Sequence, residues 1–473
     1  MFIYYSWMGL IHKGRSNMRH DVYLTYTYCP MRTRIHSGEI YIGVVISIGI
    51  FIMLSQAVVL LSNTGYELIG FTRARNAART LALTKMEYAR NLPYDSVGTV
   101  GGIPSGTIAQ NETISLNGQQ YVVQTTVLYV DDPFDGVSPI DTVPNDYKRV
   151  RIEVTWAGLG PRSTKSVLVS DIAPKGVEKV TGGGTLSFLV FDSTGTPVSN
   201  ASVTIASSGL TPPVNQSLTT NDNGRIVVPG APACVKCYRV TVTKSGMSTD
   251  RTYGANEVAN PAKPDLTVTV GGLTDMSFTI DNLATLTIST VGEKSLGFPS
   301  LPSQSLLLIG QKIIGTDTLD NPVYKYSQAV TTDSGGTLTL SNMEWDIYTI
   351  QPATASARVV SGTNPLVPLL LSPSATTNIA VSLSPRTTHS LLAAFVDASR
   401  NPIASVAATL IDNGTPIATI SGGLNSDPDY GQGFFSGLSA KTYTIEASAS
   451  GFQPISNPVS VNGTDYDELI LNP

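Results

Sequence analysis

The sequence has few of the residues that most often carry chemistry. Of its 473 residues only 4 are histidine and 3 are cysteine, and 14% are charged, where about 25% is usual. His12, His20 and His36 precede a long apolar run, so His389 alone serves the rest of the chain, in a predicted linker. No Ser, His and Asp triad can be drawn from that supply. The composition therefore predicts a protein that is not an enzyme.

Clustered positive charge is also lacking over most of the chain. The formal net charge is -5, and phosphate binding needs grouped Lys and Arg. The one basic group lies ahead of the apolar run, and it consists of Lys13, Arg15, Arg19, Arg32 and Arg34. We therefore predict no nucleic-acid partner.

Residues 40–66 contain no charged side chain, and Ile40 to Leu61 are nearly all apolar. At about 1.5 Å per residue these 22 residues span a hydrocarbon core of roughly 30 Å as a helix. A signal peptide has a shorter core of about 7–15 residues and a small-residue cleavage site, and no such site follows Leu61. The run is predicted to stay as a membrane anchor. The basic flank places the N-terminus in the cytoplasm and the remaining chain outside it.

The helix is predicted to continue beyond the membrane. Apolar side chains recur every three or four residues, with one step of seven across Lys85, at Phe71, Ala74, Ala78, Leu81, Tyr88 and Leu92. Pro93 disfavours helical geometry at Leu92, so the helix should end near Asn91. From Glu39 to Asn91 such a helix would be roughly 80 Å long.

A basic leader ending in Gly38, a membrane-length helix and an amphipathic extension together resemble the type IV pilins and pseudopilins. If translation starts at Met31, the leader is MRTRIHSG. The resemblance implies cleavage between Gly38 and Glu39, and assembly with other pilin-like subunits through the helix. Gly43 stands where that family has a glutamate. A plain signal anchor with a helical stalk, on a surface protein that binds a glycan or protein and enters no filament, therefore stays open.

Residues 94–178 are predicted to form a pilin-like β head. ETISLNGQQYVVQTTVLYV alternates around Asn117-Gly118, which is typical of a type I′ hairpin. The loop after it, DDPFDGVSPIDTVPND, offers Asp131, Asp132 and Asp135 as oxygen ligands for Ca²⁺. The spacing fits no EF-hand, and turns use the same residues, so both interpretations stay open. No other cofactor is expected.

The remaining chain repeats a β pattern. LVFDSTGTPVSNASVTI from Leu189 aligns with AFVDASRNPIASVAATL from Ala394, and Tyr238, Tyr348 and Tyr443 recur about one domain apart. The Asp and Pro should set a turn, and each tyrosine should bury its ring while its hydroxyl finds a partner. The motif resembles carboxypeptidase regulatory-like domains, which implies prealbumin-like sandwiches that act as noncatalytic spacers or adhesive domains.

The predicted fold is mainly β, with a long N-terminal transmembrane and amphipathic helix, a small head and three tandem antiparallel β-sandwich modules. The predicted segments are a leader or misassigned N-terminus at 1–38, the helix at 39–93, the head at 94–178, and modules at 184–280, 284–382 and 386–473. We expect a single-pass protein of the cell membrane, displayed at the surface or in a pilus.

Cys234 and Cys237 are the only cysteines after the membrane run. Zinc needs four ligands, which the surroundings do not supply, and a redox CxxC opens a helix, whereas this pair runs into a strand. A local disulfide is the favoured interpretation. Trp345 or exposed tyrosines could bind a glycan between sandwiches, although an aromatic side chain in a sandwich is more often part of the core.

Overall fold

The computed structural model describes residues 37–132, 146–157, 164–174, 183–353 and 357–473, with side chains from residue 41. The chain divides into two compact units, 1–72 and 73–473. It is mainly β with one long N-terminal helix, which confirms the predicted fold class.

The helix α1 runs from Ser37 to Asn91 and so ends where the Leu92-Pro93 pair was expected to stop it. In the described chain it is the one helix long and apolar enough to cross a membrane, with a mean hydropathy of 2.6 in its most apolar stretch. Large apolar side chains between Tyr41 and Ile69 are exposed, among them Phe51, Leu54 and Leu61. Their exposure is what a lipid-facing helix requires.

Beyond residue 72, α1 buries a narrow face against the head. Its buried residues are Ala78, Leu81, Ala82, Met86 and Ala89. The prediction that Tyr88 belongs to this face is wrong, because Tyr88 is 50% exposed while Met86 is buried. A step of seven residues turns the helix by about two turns, so Tyr88 lies close to Leu81 at one edge of the buried face, whose centre is formed by Ala78, Ala82 and Ala89.

The head is a four-stranded antiparallel sheet in the order β1-β2-β3-β4. Its strands are β1 (Asn111–Leu116), β2 (Gln119–Val130), β3 (Tyr147–Trp156) and β4 (Lys165–Ile172), after a 3₁₀ turn at Tyr94–Ser96. Asn117 and Gly118 both have positive φ, at 51° and 79°, which confirms the predicted type I′ hairpin. Alternate residues of β2 and β3 are buried, including Val123, Val127 and Ile152.

The three modules follow. The first contains β5 (Gly183–Phe191), β6 (Ser202–Ser207), β7 (Val214–Thr219), β8 (Arg225–Pro232), β9 (Cys234–Thr243), β10 (Asp250–Arg251), β11 (Asn260–Pro261), β12 (Leu266–Val268) and β13 (Leu273–Thr279). The second contains β14 (Ala284–Val291), a 3₁₀ turn at Lys294–Leu296, β15 (Ser305–Gly310), β16 (Ile313–Thr316), β17 (Pro322–Tyr324), β18 (Ser327–Thr331), β19 (Thr337–Met343), β20 (Asp346–Pro352), β21 (Arg358–Asn364), β22 (Leu369–Leu371) and β23 (Thr376–Pro385). The third contains β24 (Ser390–Val396), β25 (Ala407–Asp412), β26 (Thr415–Ser421), β27 (Gln432–Ser436), β28 (Lys441–Ser448), β29 (Ile455–Val461) and β30 (Thr464–Ile470).

Each module is built from two sheets with one shared plan. The sheets are β10-β9-β6-β7, with β12 also paired to β9, and β13-β5-β8 in the first, β19-β14-β23-β21 and β18-β15-β20-β22 in the second, and β27-β24-β30 and β26-β25-β28-β29 in the third. Most pairs are antiparallel, as predicted. The first and last strands of every module, however, pair in parallel: β5 with β13, β14 with β23, and β24 with β30. This pairing requires the long crossover that the rest of the module supplies.

The repeated motif has the structural roles expected of it. Tyr238, Tyr348 and Tyr443 are at most 3% exposed, and their hydroxyls donate to the carbonyls of Pro232, Glu344 and Ser439 at 2.7, 2.8 and 3.2 Å. The Asp of the motif sets a turn, because Asp192 Oδ1 accepts the N–H groups of Thr194 and Thr196, and Asp397 Oδ1 accepts those of Ser399 and Asn401. Both predictions are confirmed.

Candidate functional site

The head is joined to the first module by directional hydrogen bonds. The backbone N–H of Ile103 donates to Gln216 Oε1 at 2.9 Å, and the N–H of Asn215 donates to the carbonyl of Gly101 at 2.7 Å. The Ile103 side chain, 1% exposed, is part of the first module's core, and Leu128 of β2 packs against that core. The head therefore covers the open side of this module between β7 and β8.

The first and second modules meet through a small shared sheet. The strand β11 of the first module pairs with β16 of the second, which pairs with β17. Lys325 Nζ of the second module donates to the carbonyl of Thr249 in the first at 2.6 Å. Beside these contacts lies a cavity of about 260 Å³, lined from one side by Asp250 and Tyr253 and from the other by residues that include Trp345.

The cavity is charged, and its charges are paired. Lys312 Nζ lies 2.8 Å from Glu344 Oε1, and Lys325 Nζ lies 2.7 Å from Glu344 Oε2. Lys263 forms an ion pair with Asp250. Burial lowers the pKa of Lys312, and its hydrogen bond to Glu344 partly opposes that shift. These groups therefore act first as a polar junction between modules.

Trp345, the predicted glycan contact, lies in this junction rather than in a sandwich core. Lys312 Nζ sits 3.2 Å from the centroid of its ring, so one ring face already bears a cation. Its Nε1 is buried and has no hydrogen-bond partner within the described chain. Glycan stacking on Trp345 stays a prediction that would require Lys312 to move.

The second and third modules are joined by hydrogen bonds of two side-chain amides, those of Gln432 and Asn364. Gln432 accepts the N–H of Thr363 at 3.1 Å and donates to its carbonyl at 2.6 Å. Asn364 Nδ2 donates to the carbonyls of Asn425 and Asp427. Lys294 pairs with Asp429 at 2.8 Å, and burial raises the pKa of Asp429 while Lys294 partly offsets the shift.

The predicted processing residues, Gly38 and Glu39, lie in the backbone of the first turn of α1, and their side chains are not described. Cys234 and Cys237 open β9, form a bonded pair with Cα atoms 5.9 Å apart, and pack against the first module's core. Their oxidation state in the purified protein stays a prediction. His389 lies between β23 and β24, in the linker where it was predicted.

The acidic loop lies partly outside the described residues. Asp131 and Asp132 directly follow β2, and the N–H of Asp132 donates to the carboxylate of Asp146, while Asp135 lies outside the described residues. Within the described ranges, no three His, Cys, Asp or Glu side chains are grouped to hold a metal. Calcium binding here stays a prediction.

Sequence reasoning missed one buried cation, Lys148 of β3, which is 1% exposed. Its Nζ donates to the carbonyls of Tyr94 and Val97 at 2.8 and 2.7 Å and lies 4.6 Å from the Tyr94 ring centroid. Burial lowers its pKa to about 8, although the charge of Asp95 acts in the opposite direction. The signal was present, because Lys148 is in phase with the inward-facing Val150, Ile152 and Val154.

Comparison with known proteins identifies one segment. The family model of the carboxypeptidase regulatory-like domain matches residues 185–281, which are the first module. Among curated proteins, no relative matches the chain.

Solved structures that resemble the chain include pilins of Gram-positive bacteria. The Bacillus anthracis TIE protein is 12% identical, with 77% of this chain and 72% of that chain covered at a TM-score of 0.18. A streptococcal ancillary pilin is 13% identical, with 61% and 98% covered at 0.17. The major pilin subunit BcpA of Bacillus cereus is 12% identical, with 61% and 99% covered at 0.16. Likenesses at this level carry no conclusion about assembly or ligands.

Proposed function

We propose that the protein is a noncatalytic, membrane-anchored surface subunit of pilin-like organisation, which displays a head and three β-sandwich modules outside the cell. The observation that carries the proposal is α1, whose side chains from Tyr41 to Leu61 are nearly all apolar and are exposed over a membrane-spanning length. Such a surface is unfavourable in water and favourable in lipid or against other apolar helices.

The contacts between modules support a structural role. The hydrogen bond of Ile103 connects the head to the first module. Those of Lys325 and Gln432 connect the first module to the second and the second to the third. Domains of one chain move relative to one another unless their interface is large and hydrophobic, and here Ile103 of the head lies in the first module's hydrophobic core while Leu128 packs against that core. A displayed subunit benefits from that constraint, because its last module is then held at a defined place relative to the head.

The finer assignment is that of a minor pilin or pseudopilin. The basic flank, Gly38 and the continuous helix support it, and Gly43 at the position of the family's glutamate speaks against it. The second candidate is a single-pass signal-anchored binding protein with the same modules and an uncut leader. Both place the N-terminus in the cytoplasm.

Intact mass and N-terminal sequencing of protein purified from membranes separate the two candidates. The pilin-like assignment requires a new N-terminus at Glu39, lost when Gly38 is replaced by Val and kept in the matched control Ser37→Ala. An N-terminus upstream of Gly38 in the unmodified protein favours the signal anchor. Protein recovered wholly in the soluble fraction would contradict both.

A further inference from the structure

A second cleft, which we call the head–module cleft, lies between the outer face of the head sheet and the first module. Its volume is about 760 Å³, with one wall from β2 and β3 and the other from β6, β7 and β8. The outer face is the one that α1 does not cover: Val150 and Ile152 point inward and are buried, so Arg149 and Arg151 between them point into the cleft.

The lining is strongly basic for this protein. Four cations line the cleft, Arg149, Arg151, Lys165 and Arg225, against one carboxylate, Glu153. The whole chain has a formal net charge of -5. Because Asp171 also pairs with Arg149, two positive charges are in excess at this concave surface, and they attract anions because opposing walls of low dielectric focus the field.

The four cations differ in whether they are already paired with a carboxylate of the protein. Glu153 pairs with both Arg151 and Lys165, at 2.8 and 2.7 Å, and Arg149 pairs with Asp171 at 2.7 Å. Arg225 is exposed and forms no ion pair or side-chain hydrogen bond with the residues that the structure describes. Its charge is therefore available to a ligand, and its replacement removes no ion pair or side-chain hydrogen bond of the described chain.

The uncharged residues that line the cleft indicate which class of anionic ligand it can bind. Amides, such as those of Gln124 and Asn200, and hydroxyls, such as those of Thr126 and Ser217, make up much of it, and no aromatic side chain is present. Amides and hydroxyls exchange hydrogen bonds with sugar hydroxyls. Single-stranded nucleic acid is held by stacking on aromatic rings, which this lining does not offer.

We propose that the head–module cleft binds an acidic oligosaccharide. A carboxylate on its sugar rings would pair with Arg225 in charge-assisted hydrogen bonds, and its hydroxyls would contact the amides and hydroxyls of the two walls. The site goes beyond the structural role proposed above and does not depend on whether the protein enters a filament.

The test uses the full-length protein in a non-ionic detergent, titrated calorimetrically with tetragalacturonic acid at low and at physiological salt. We expect saturable binding that weakens as salt rises, since ion pairing releases counterions. The fully methyl-esterified tetramer, which has the same rings without charge, should not bind. Arg225→Glu should weaken binding by about tenfold or more, because it turns an attraction into a repulsion at the ligand.

Arg400→Glu is the control for the change of charge, because Arg400 is an exposed arginine of the third module, 77% exposed on its side chain, and does not line the cleft; the substitution also removes its ion pair with Glu468. It should leave the affinity unchanged, and circular dichroism should show both variants folded. The proposal is overturned if the unmodified protein does not bind the tetramer, if Arg225→Glu binds it as well as the unmodified protein does, or if a single-stranded DNA hexamer binds as tightly.

Discussion

At the scale of the residue, the three modules use one tyrosine in the same way. Tyr238, Tyr348 and Tyr443 bury the ring and tie the hydroxyl to a carbonyl four to six residues earlier in the chain. Sequence predicted this because burial and the turn chemistry are both local. Burial raises the pKa of Tyr238 and Tyr348, so their hydroxyls stay protonated donors at any ordinary pH.

Tyr238→Phe should lower the free energy of unfolding of the first module by about 1 kcal/mol, because the Pro232 carbonyl loses its donor while the ring still fills the core. Hydrogen exchange of β9 is the measurement, and it should accelerate about fivefold, which is what that energy corresponds to. Tyr466→Phe, at a tyrosine that is 50% exposed, serves as control. Unchanged exchange in β9 would show that the hydroxyl contributes nothing.

The lowered pKa of Lys148 predicts that the stability of the head depends on pH. Its pKa is about 8 when folded, against the ordinary 10.5, so between these values the unfolded chain binds more protons than the folded one. Stability should then rise as pH increases from 8 towards 10.5, by about 1.4 kcal/mol for each pH unit. Below pH 8 the charged lysine is a constant cost.

Urea unfolding at pH 7.5 and 9.5, followed by Trp156 fluorescence in a background with Trp7→Phe and Trp345→Phe, measures this effect. The rise should be absent in Lys148→Met, which has nothing to titrate at this position. The comparison uses the difference between the two proteins, since other groups titrate in both. Equal pH dependence in both would refute a lowered pKa for Lys148.

The predicted disulfide between Cys234 and Cys237 can be tested by counting free thiols before and after reduction. Alkylation of the unreduced protein should leave Cys234 and Cys237 unlabelled, and reduction should expose two further thiols. Replacing both by Ser should lower the melting temperature modestly, because so short a loop gains less than the roughly 3 kcal/mol of a 15-residue one. Two labelled thiols before reduction, or stoichiometric zinc, would return this site to a metal or ligand role.

At the scale of the element, the sequence could predict the features that depend on residues close together along the chain, and not those that depend on distant ones. The end of α1 and the Asn117-Gly118 hairpin depend on a few neighbouring residues, and both were predicted. The parallel pairing of β5 with β13 joins Thr185 to Leu273, and no local pattern encodes it. The head–module cleft was missed for the same reason, since Arg149 and Arg225 come to line one cleft only after the sheets of the head and the first module pack.

The anchor is the element most open to a direct test. Ile50, 53% exposed and near the middle of the apolar run, should not tolerate Arg, because a charge at the bilayer centre costs at least about 3 kcal/mol. We expect loss of protein from the carbonate-resistant membrane fraction. Ile417→Arg, at an isoleucine 46% exposed in β26, should stay in that fraction. Full membrane retention of Ile50→Arg would exclude a spanning role for α1.

At the scale of the molecule, the head and the first module depend on one another. A fragment of residues 184–473 should be soluble and β-rich with negligible helix, but it lacks Ile103 and Gly101, which contact β7 in the intact chain. Hydrogen exchange of β7 should therefore be faster in this fragment than in residues 73–473, while β25 of the third module is unchanged. A strongly helical spectrum, or equal exchange in β7, would contradict the dependence.

The parallel pairing of first and last strands gives each module a mechanical character. When the chain is stretched, the force acts on the N-terminal end of β5 and the C-terminal end of β13 in opposite directions. The same holds for β14 with β23 and for β24 with β30. Tension therefore shears seven residue pairs together in every module, instead of opening them one at a time as a hairpin would unzip. A chain tethered in a membrane and gripped at its far end would hold its modules folded until these ladders slip.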